Sequence, residues 1–178
     1  MGIRDVYEPQ LIKAKAYGIH PVLADLDIEI PIDGNKFDVI HANQVIEHVS
    51  SVDNFAKELH RLLKANGYAV ISTENTSSWC NIASSIFGWQ PLSSTNLSSI
   101  KAGLGNPMAL HRNVESSLIS SWTHKTLFSY RGLKEFFTAH GFIVESIRGA
   151  GYFPLPAKFA KFDPRHSHFI TVKIRKLF

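Results

Sequence analysis

Two short apolar runs on either side of one amphipathic helix constrain this chain more than any other feature. Residues Phe37–Ala42 read as a strand that is apolar on both faces, the pattern of a buried parallel strand. Ser51-Val52-Asp53 opens a helix expected to run to Leu63, with Phe55, Leu59, Leu62 and Leu63 on one face. Asn66-Gly67 is expected to end that helix, and Tyr68–Thr73 reads as the next buried strand. Parallel strands need a long crossover, and the helix supplies it, so this stretch is a strand–helix–strand unit of an α/β sheet.

The rest of the chain extends the same alternation. Gly2–Val6 reads as the stub of a strand, and Glu8–Tyr17 as a helix with Pro9 in its first turn and Gly18 as its stop. Pro21–Ala24 reads as a short strand, followed by a polar, turn-rich connection from Asp25 to Asn35. Thr76–Trp122 is rich in Ser, Asn and Gly, and is expected to be an insertion with one short helix near Ile82–Phe87 and mobile loops beyond. Ser129–Ala139 is a helix capped by Ser129 and stopped by His140-Gly141. Phe142–Arg148 and His168–Ile174 are the last two strands, joined by a Gly/Pro/aromatic loop rather than a helix, so the final strand is expected to be an antiparallel edge strand. The expected fold class is α/β, a mostly parallel sheet with helices on both faces, in one domain of 178 residues carrying an insertion at about 76–122.

Composition narrows the function classes. The net charge of +4 is small and its basic residues are scattered, so no nucleic-acid footprint is favoured. The one basic group, Lys173, Arg175 and Lys176, reads as the solvated side of an edge strand. Cys80 is the only cysteine, which excludes an internal disulfide and a multi-cysteine metal site and suits a reducing compartment. Met1–Tyr7 holds no apolar signal region and no run is long enough to span a bilayer, so the expected location is the cytoplasm.

Several of these segments resemble the class I S-adenosylmethionine-dependent methyltransferase family. Phe37-Asp38-Val39-Ile40-His41-Ala42-Asn43 with Val45-Ile46-Glu47-His48-Val49 resembles its fourth-strand motif. Gly2–Glu8, with Asp5 as the acid that ends the strand, resembles the second-strand motif, interrupted by Arg4. Ala24-Asp25-Leu26 resembles the acid after the third strand, Leu59–Tyr68 the passage into the fifth strand, and Phe128–Phe142 the final helix and turn. The resemblance implies a Rossmann-like sheet with an antiparallel final strand and S-adenosylmethionine as cofactor. The glycine-rich turn that opens the family's fold has no counterpart, since Gly103 and Gly105 fall in the insertion. The expectation is therefore an N-terminally truncated member lacking the first strand and helix. Such a sheet would be unstable alone, rearranged, self-associated, or completed by another chain.

Site residues follow from the same resemblance. Asp5 would bind the ribose hydroxyls, with Glu8 as a rival; otherwise Asp5 is a helix cap. Asp25 would bind the adenine amino group beside Leu26, or simply close a turn. Asn43 and Gln44 leave the carboxyl end of a strand, where α/β sheets hold ligands, a position that favours contact with the cofactor or the nucleophile over an Asx-type turn at Asn43. His48 is the candidate general base. Glu47, His48 and the distant His124 resemble a partial divalent-metal set. Gln44 stands where the full set has a carboxylate, so packing of Glu47-His48 at the strand exit is the favoured reading and no metal is expected. Trp79, Trp89 and Trp122, with Tyr152, Phe153 and Pro154, either line an apolar acceptor pocket or pack the insertion. The functional expectation is a methyltransferase acting on a small-molecule or lipid-type acceptor. The alternative is a non-catalytic remnant or subunit that needs a missing N-terminal segment.

Overall fold

The computed structural model describes residues 15–98, 100–109 and 123–178. The expected strand at Gly2–Val6, most of the helix at Glu8–Tyr17, Asp5, Glu8 and Trp122 lie outside the described residues. Lys15 and Ala16 are helical and Gly18 has φ +75°, the left-handed turn that ends a helix.

Among the described residues four strands form one sheet: β1 (Phe37–Asn43), β2 (Leu63–Glu74), β3 (Phe142–Ala150) and β4 (Phe169–Lys176), in the order β1-β2-β4-β3. β1 and β2 are parallel, and β4 runs antiparallel to both β2 and β3. The helices are α1 (Val52–Leu62), α2 (Trp79–Ile86) and α3 (Tyr130–Ala139). Each begins at a serine whose hydroxyl accepts a backbone N–H three residues on: Ser51 from Asn54, Ser78 from Asn81, Ser129 from Gly132. Phe55, Ala56 and Leu59 of α1 join Leu133 and Phe137 of α3 in one core with Ile71, Ile170, Val172 and Ile174 of the sheet.

Several expectations are corrected. α1 stops at Leu62, one residue before the expected end at Leu63, and the next strand begins at Leu63 rather than Tyr68, because Leu63 is already extended and pairs with Phe37. Residues 64–67 form an irregularity inside β2. Asn66 is left-handed there, and a Cβ on Gly67 would meet the Lys64 carbonyl oxygen at 2.9 Å. β1 is not buried on both faces: Phe37 and Val39 are exposed, since β1 has one strand neighbour among the described residues. Pro21–Ala24 is not a strand, and Val22 and Leu23 are exposed. β4 is antiparallel as expected but lies inside the sheet, so its basic residues are not a solvated edge. Lys176 is buried with Nζ on the Leu63 carbonyl at 2.8 Å, and Lys173 and Arg175 both pair with Glu145. The described part of the insertion is tied down rather than loose: Ser93, Thr95 and Asn106 are buried, and Asn81 bonds Ser93 through both its amide nitrogen and its oxygen.

Candidate active site at the carboxyl ends of the parallel strands

β1 and β2 end side by side at Asn43 and Glu74, and the candidate residues gather where they end. Ser72 donates its hydroxyl to Asn43 Oδ1, and its carbonyl receives the Gln44 N–H at 3.0 Å. Gln44 holds φ +54°, a conformation uncommon for a residue with a side chain. It persists because the Ser72 bond and the core on either side define it, and such positions concentrate at functional sites. The turn sends Val45–Val49 across the strand ends with Ile46, Glu47 and Val49 fully buried.

Glu47 is the most enclosed ionisable group here. Thr73 donates its hydroxyl to Glu47 Oε2 at 3.0 Å, while Oε1 is buried without a hydrogen-bond partner. Burial pushes its carboxyl above the usual glutamate range, against the bonds that lower it. Its main-chain carbonyl receives the N–H of Lys125 at 2.7 Å, which anchors the segment carrying His124. The His48 and His124 rings meet edge to face, with centroids 5.0 Å apart. His48 Nδ1 lies 3.1 Å from the Thr123 carbonyl and His124 Nδ1 lies 2.7 Å from the Ser93 carbonyl. A carbonyl only accepts, so each Nδ1 carries a proton. Burial holds His48 below the usual histidine range, favouring its neutral form.

Glu74 belongs to this cluster although the sequence reading did not single it out. Its Oε2 is buried without a hydrogen-bond partner, 3.9 Å from His124 Nδ1. Its position at the carboxyl end of a parallel strand was the signal available for it. Among the described residues no three His, Cys, Asp or Glu side chains are placed to hold a metal ion. Glu47, His48 and His124 are neighbours, yet the Nδ1 atoms of both histidines are turned onto main-chain carbonyls.

Asp25 and Leu26 lie on a separate loop. Asp25 Oδ1 accepts the Asp27 N–H at 2.9 Å, closing its own turn, and Leu26 packs against the core. Asp27 accepts the N–H groups of Ser50 and Ser51, which ties this loop to the start of α1, directly after the Glu47-His48 segment. Beyond β2, an apolar cleft of about 190 Å³ is lined by Trp79, Phe87, Trp89, Leu92, Met108 and Phe153. The turn Leu92–Ser94 joins the cleft to the cluster: Leu92 lines it and the Ser93 carbonyl holds His124.

An α/β sheet with an antiparallel strand at its centre and polar side chains at its carboxyl ends defines a Rossmann-like fold of the methyltransferase type. Solved structures share it. A SAM-dependent methyltransferase from Thermotoga maritima superposes with a TM-score of 0.61 at 16% identity, covering 95% of this chain and 70% of that one. An S-adenosylmethionine-dependent methyltransferase from Mesorhizobium loti gives 0.58 at 19%, covering 97% and 78%. Among curated proteins, a ubiquinone biosynthesis O-methyltransferase from Pelagibacter ubique is 49% identical over 43 residues, which is 24% of this chain and 18% of that protein. The profile of the methyltransferase domain family matches residues 4–147. The chain belongs to the methyltransferase domain family, and S-adenosylmethionine is the cofactor that this membership implies.

Proposed function

We propose that the chain is an S-adenosylmethionine-dependent methyltransferase that methylates an oxygen of a small, largely apolar acceptor. One observation carries this reading. Asn43, Gln44, Glu47, His48 and His124 converge at the carboxyl ends of two parallel strands, and an apolar aromatic cleft opens one turn away. The Pelagibacter relative, named for O-methylation in ubiquinone biosynthesis, supports an oxygen acceptor.

The polar groups suit the cofactor. Asn43 spends its amide oxygen on Ser72, and Asp25 spends one carboxylate oxygen on its own turn. The Asn43 amide nitrogen and the second Asp25 oxygen are left to a ligand that offers carboxylate, hydroxyl and amino groups. The bound cofactor supplies a methyl group already activated for in-line displacement. The chain's residues bind, orient and accept a proton. Trp79, Phe87 and Trp89 exclude water from the body of the acceptor. His48 takes the hydroxyl proton on Nε2, because its Nδ1 proton is committed to the Thr123 carbonyl and burial keeps the ring neutral. His124 limits the movement of the His48 ring.

Calorimetric titration of the full chain with S-adenosylhomocysteine tests the reading. Saturable binding is expected, weakened about tenfold by Asn43→Ala or Asp25→Ala through the loss of one polar contact. With a panel of phenols as acceptors, His48→Ala is expected to lower kcat by at least about a hundredfold. A folded chain that binds no S-adenosylhomocysteine overturns the proposal and leaves a non-catalytic member of the family.

A further inference from the structure

A second cleft, of about 250 Å³, lies between the start of α3 and the segment before β4, and Ser77, Arg131, Arg165 and His166 are among the residues that line it. Its charge is one-sided. Arg131 is in no ion pair among the described residues, and Arg165 has only Asp163 nearby, at 3.6 Å. Asp163 is itself occupied: its Oδ2 receives the Tyr152 hydroxyl at 2.5 Å and lies 2.8 Å from His166 Nδ1. One carboxylate therefore serves three groups, and the lining keeps an excess of positive charge.

The cleft is also held in shape. Ser77 Oγ donates either to Asn75 Oδ1 at 2.7 Å or to the Arg165 carbonyl at 3.1 Å, and Asn75 Nδ2 donates to the carbonyls of Arg165 and Ser167 at 2.7 and 2.8 Å. These bonds fix the main chain of Arg165 against the end of β2. Trp79 stacks on His166 at 4.4 Å and donates its Nε1–H to the Tyr152 hydroxyl at 2.9 Å. Trp79 also lines the apolar cleft, so its indole connects that cleft to His166, which lines the basic one.

We propose that this basic cleft binds an oxyanion, a phosphate or a carboxylate. Two guanidinium groups in one concavity match the paired oxygens of such a group, and the positive end of the α3 dipole adds to them. The proposal stands apart from the methyl-transfer reading, since none of its residues holds the cofactor or the proton there.

Tryptophan fluorescence of the full chain, titrated with inorganic phosphate at constant ionic strength, tests it, because Trp79 borders the site. Saturable quenching is expected, with Arg131→Gln and Arg165→Gln each weakening binding about tenfold and Lys57→Gln, an exposed position on α1, leaving it unchanged. Phenyl phosphate separates a free anion from one carried on a ring. Equal affinity assigns the cleft to the free anion. Tighter binding of phenyl phosphate that Trp79→Ala removes, read by calorimetry because that variant lacks the reporter, assigns it to an anionic substituent of an aromatic ligand. Absence of saturation, or affinity unchanged in both arginine variants, overturns the proposal. S-adenosylhomocysteine titration keeps the two readings distinct: arginine variants that lose phosphate binding with cofactor binding intact support this inference independently of the other, whereas an unaltered chain that binds S-adenosylhomocysteine but never saturates with phosphate sinks this inference alone.

Discussion

Glu47 gathers several consequences at the scale of one residue. Its carboxyl is buried with one oxygen unpartnered, and burial raises its pKa above the ordinary value of 4.5. The folded chain therefore holds a proton that the unfolded chain has released. Stability contributed this way is present at low pH and declines as pH rises from about 4.5 toward the raised folded value. Glu47→Gln cannot ionise, so its urea midpoint is expected to lack this decline; matching slopes for the two proteins would rule the explanation out. Asn81 shows the reverse situation, a buried polar group with its bonds made. It donates to Ser93 Oγ and to the Asn75 carbonyl, and its oxygen accepts the Ser93 N–H. Asn81→Ala leaves those partners unsatisfied and is expected to cost about 2–3 kcal/mol by urea unfolding. It also loosens the turn whose carbonyl holds His124.

Elements differ in how much of their structure is set locally. α1 and α3 are legible from sequence because their instructions are short-range: Ser51 and Ser129 cap them, an apolar stripe gives them one buried face, and Gly141 at φ +82° lies just beyond α3. Ser129→Ala is accordingly expected to cost about 1 kcal/mol in thermal or urea unfolding. The end of α1 was less legible. Residues 63–67 look compatible with helix until Leu63 is paired with Phe37, a contact that no local pattern announces. Gly67 marks that place. A methyl group there would press on the carbonyl oxygens of Lys64, Phe37 and Asp38 at 2.9, 3.1 and 3.2 Å, so Gly67→Ala is expected to destabilise by about 1–3 kcal/mol. The site divides the same way. Asn43, Gln44, Glu47 and His48 stand in one contiguous stretch and could be named from it. Ser72, Thr73 and Glu74 join them only through the register that sets Asn43 opposite Ser72. The basic cleft needs Ser77 before α2, the start of α3 and the 164–166 turn together, so no single stretch of sequence points to it.

At the scale of the molecule the sheet order governs. β4 alternates buried and half-buried residues, and Ile170, Val172 and Ile174 are wholly enclosed. That alternation fits an edge strand as well as a central one, which is why its place between β2 and β3 was not readable in advance. Ile174→Ala is expected to cost about 2–5 kcal/mol, measured as a shift in the urea midpoint. The same order has a consequence for how the protein is made. Of the four strands, the last to leave the ribosome is the one that must enter between two made earlier. Until Phe169–Lys176 emerges, β3 has no partner among the described strands and the Lys176 ammonium cannot reach the Leu63 carbonyl. The nascent polypeptide must therefore hold β2 and β3 apart, with their inner edges bare, through the synthesis of the whole connecting segment. This interval is when a holdase chaperone has the most surface to grip.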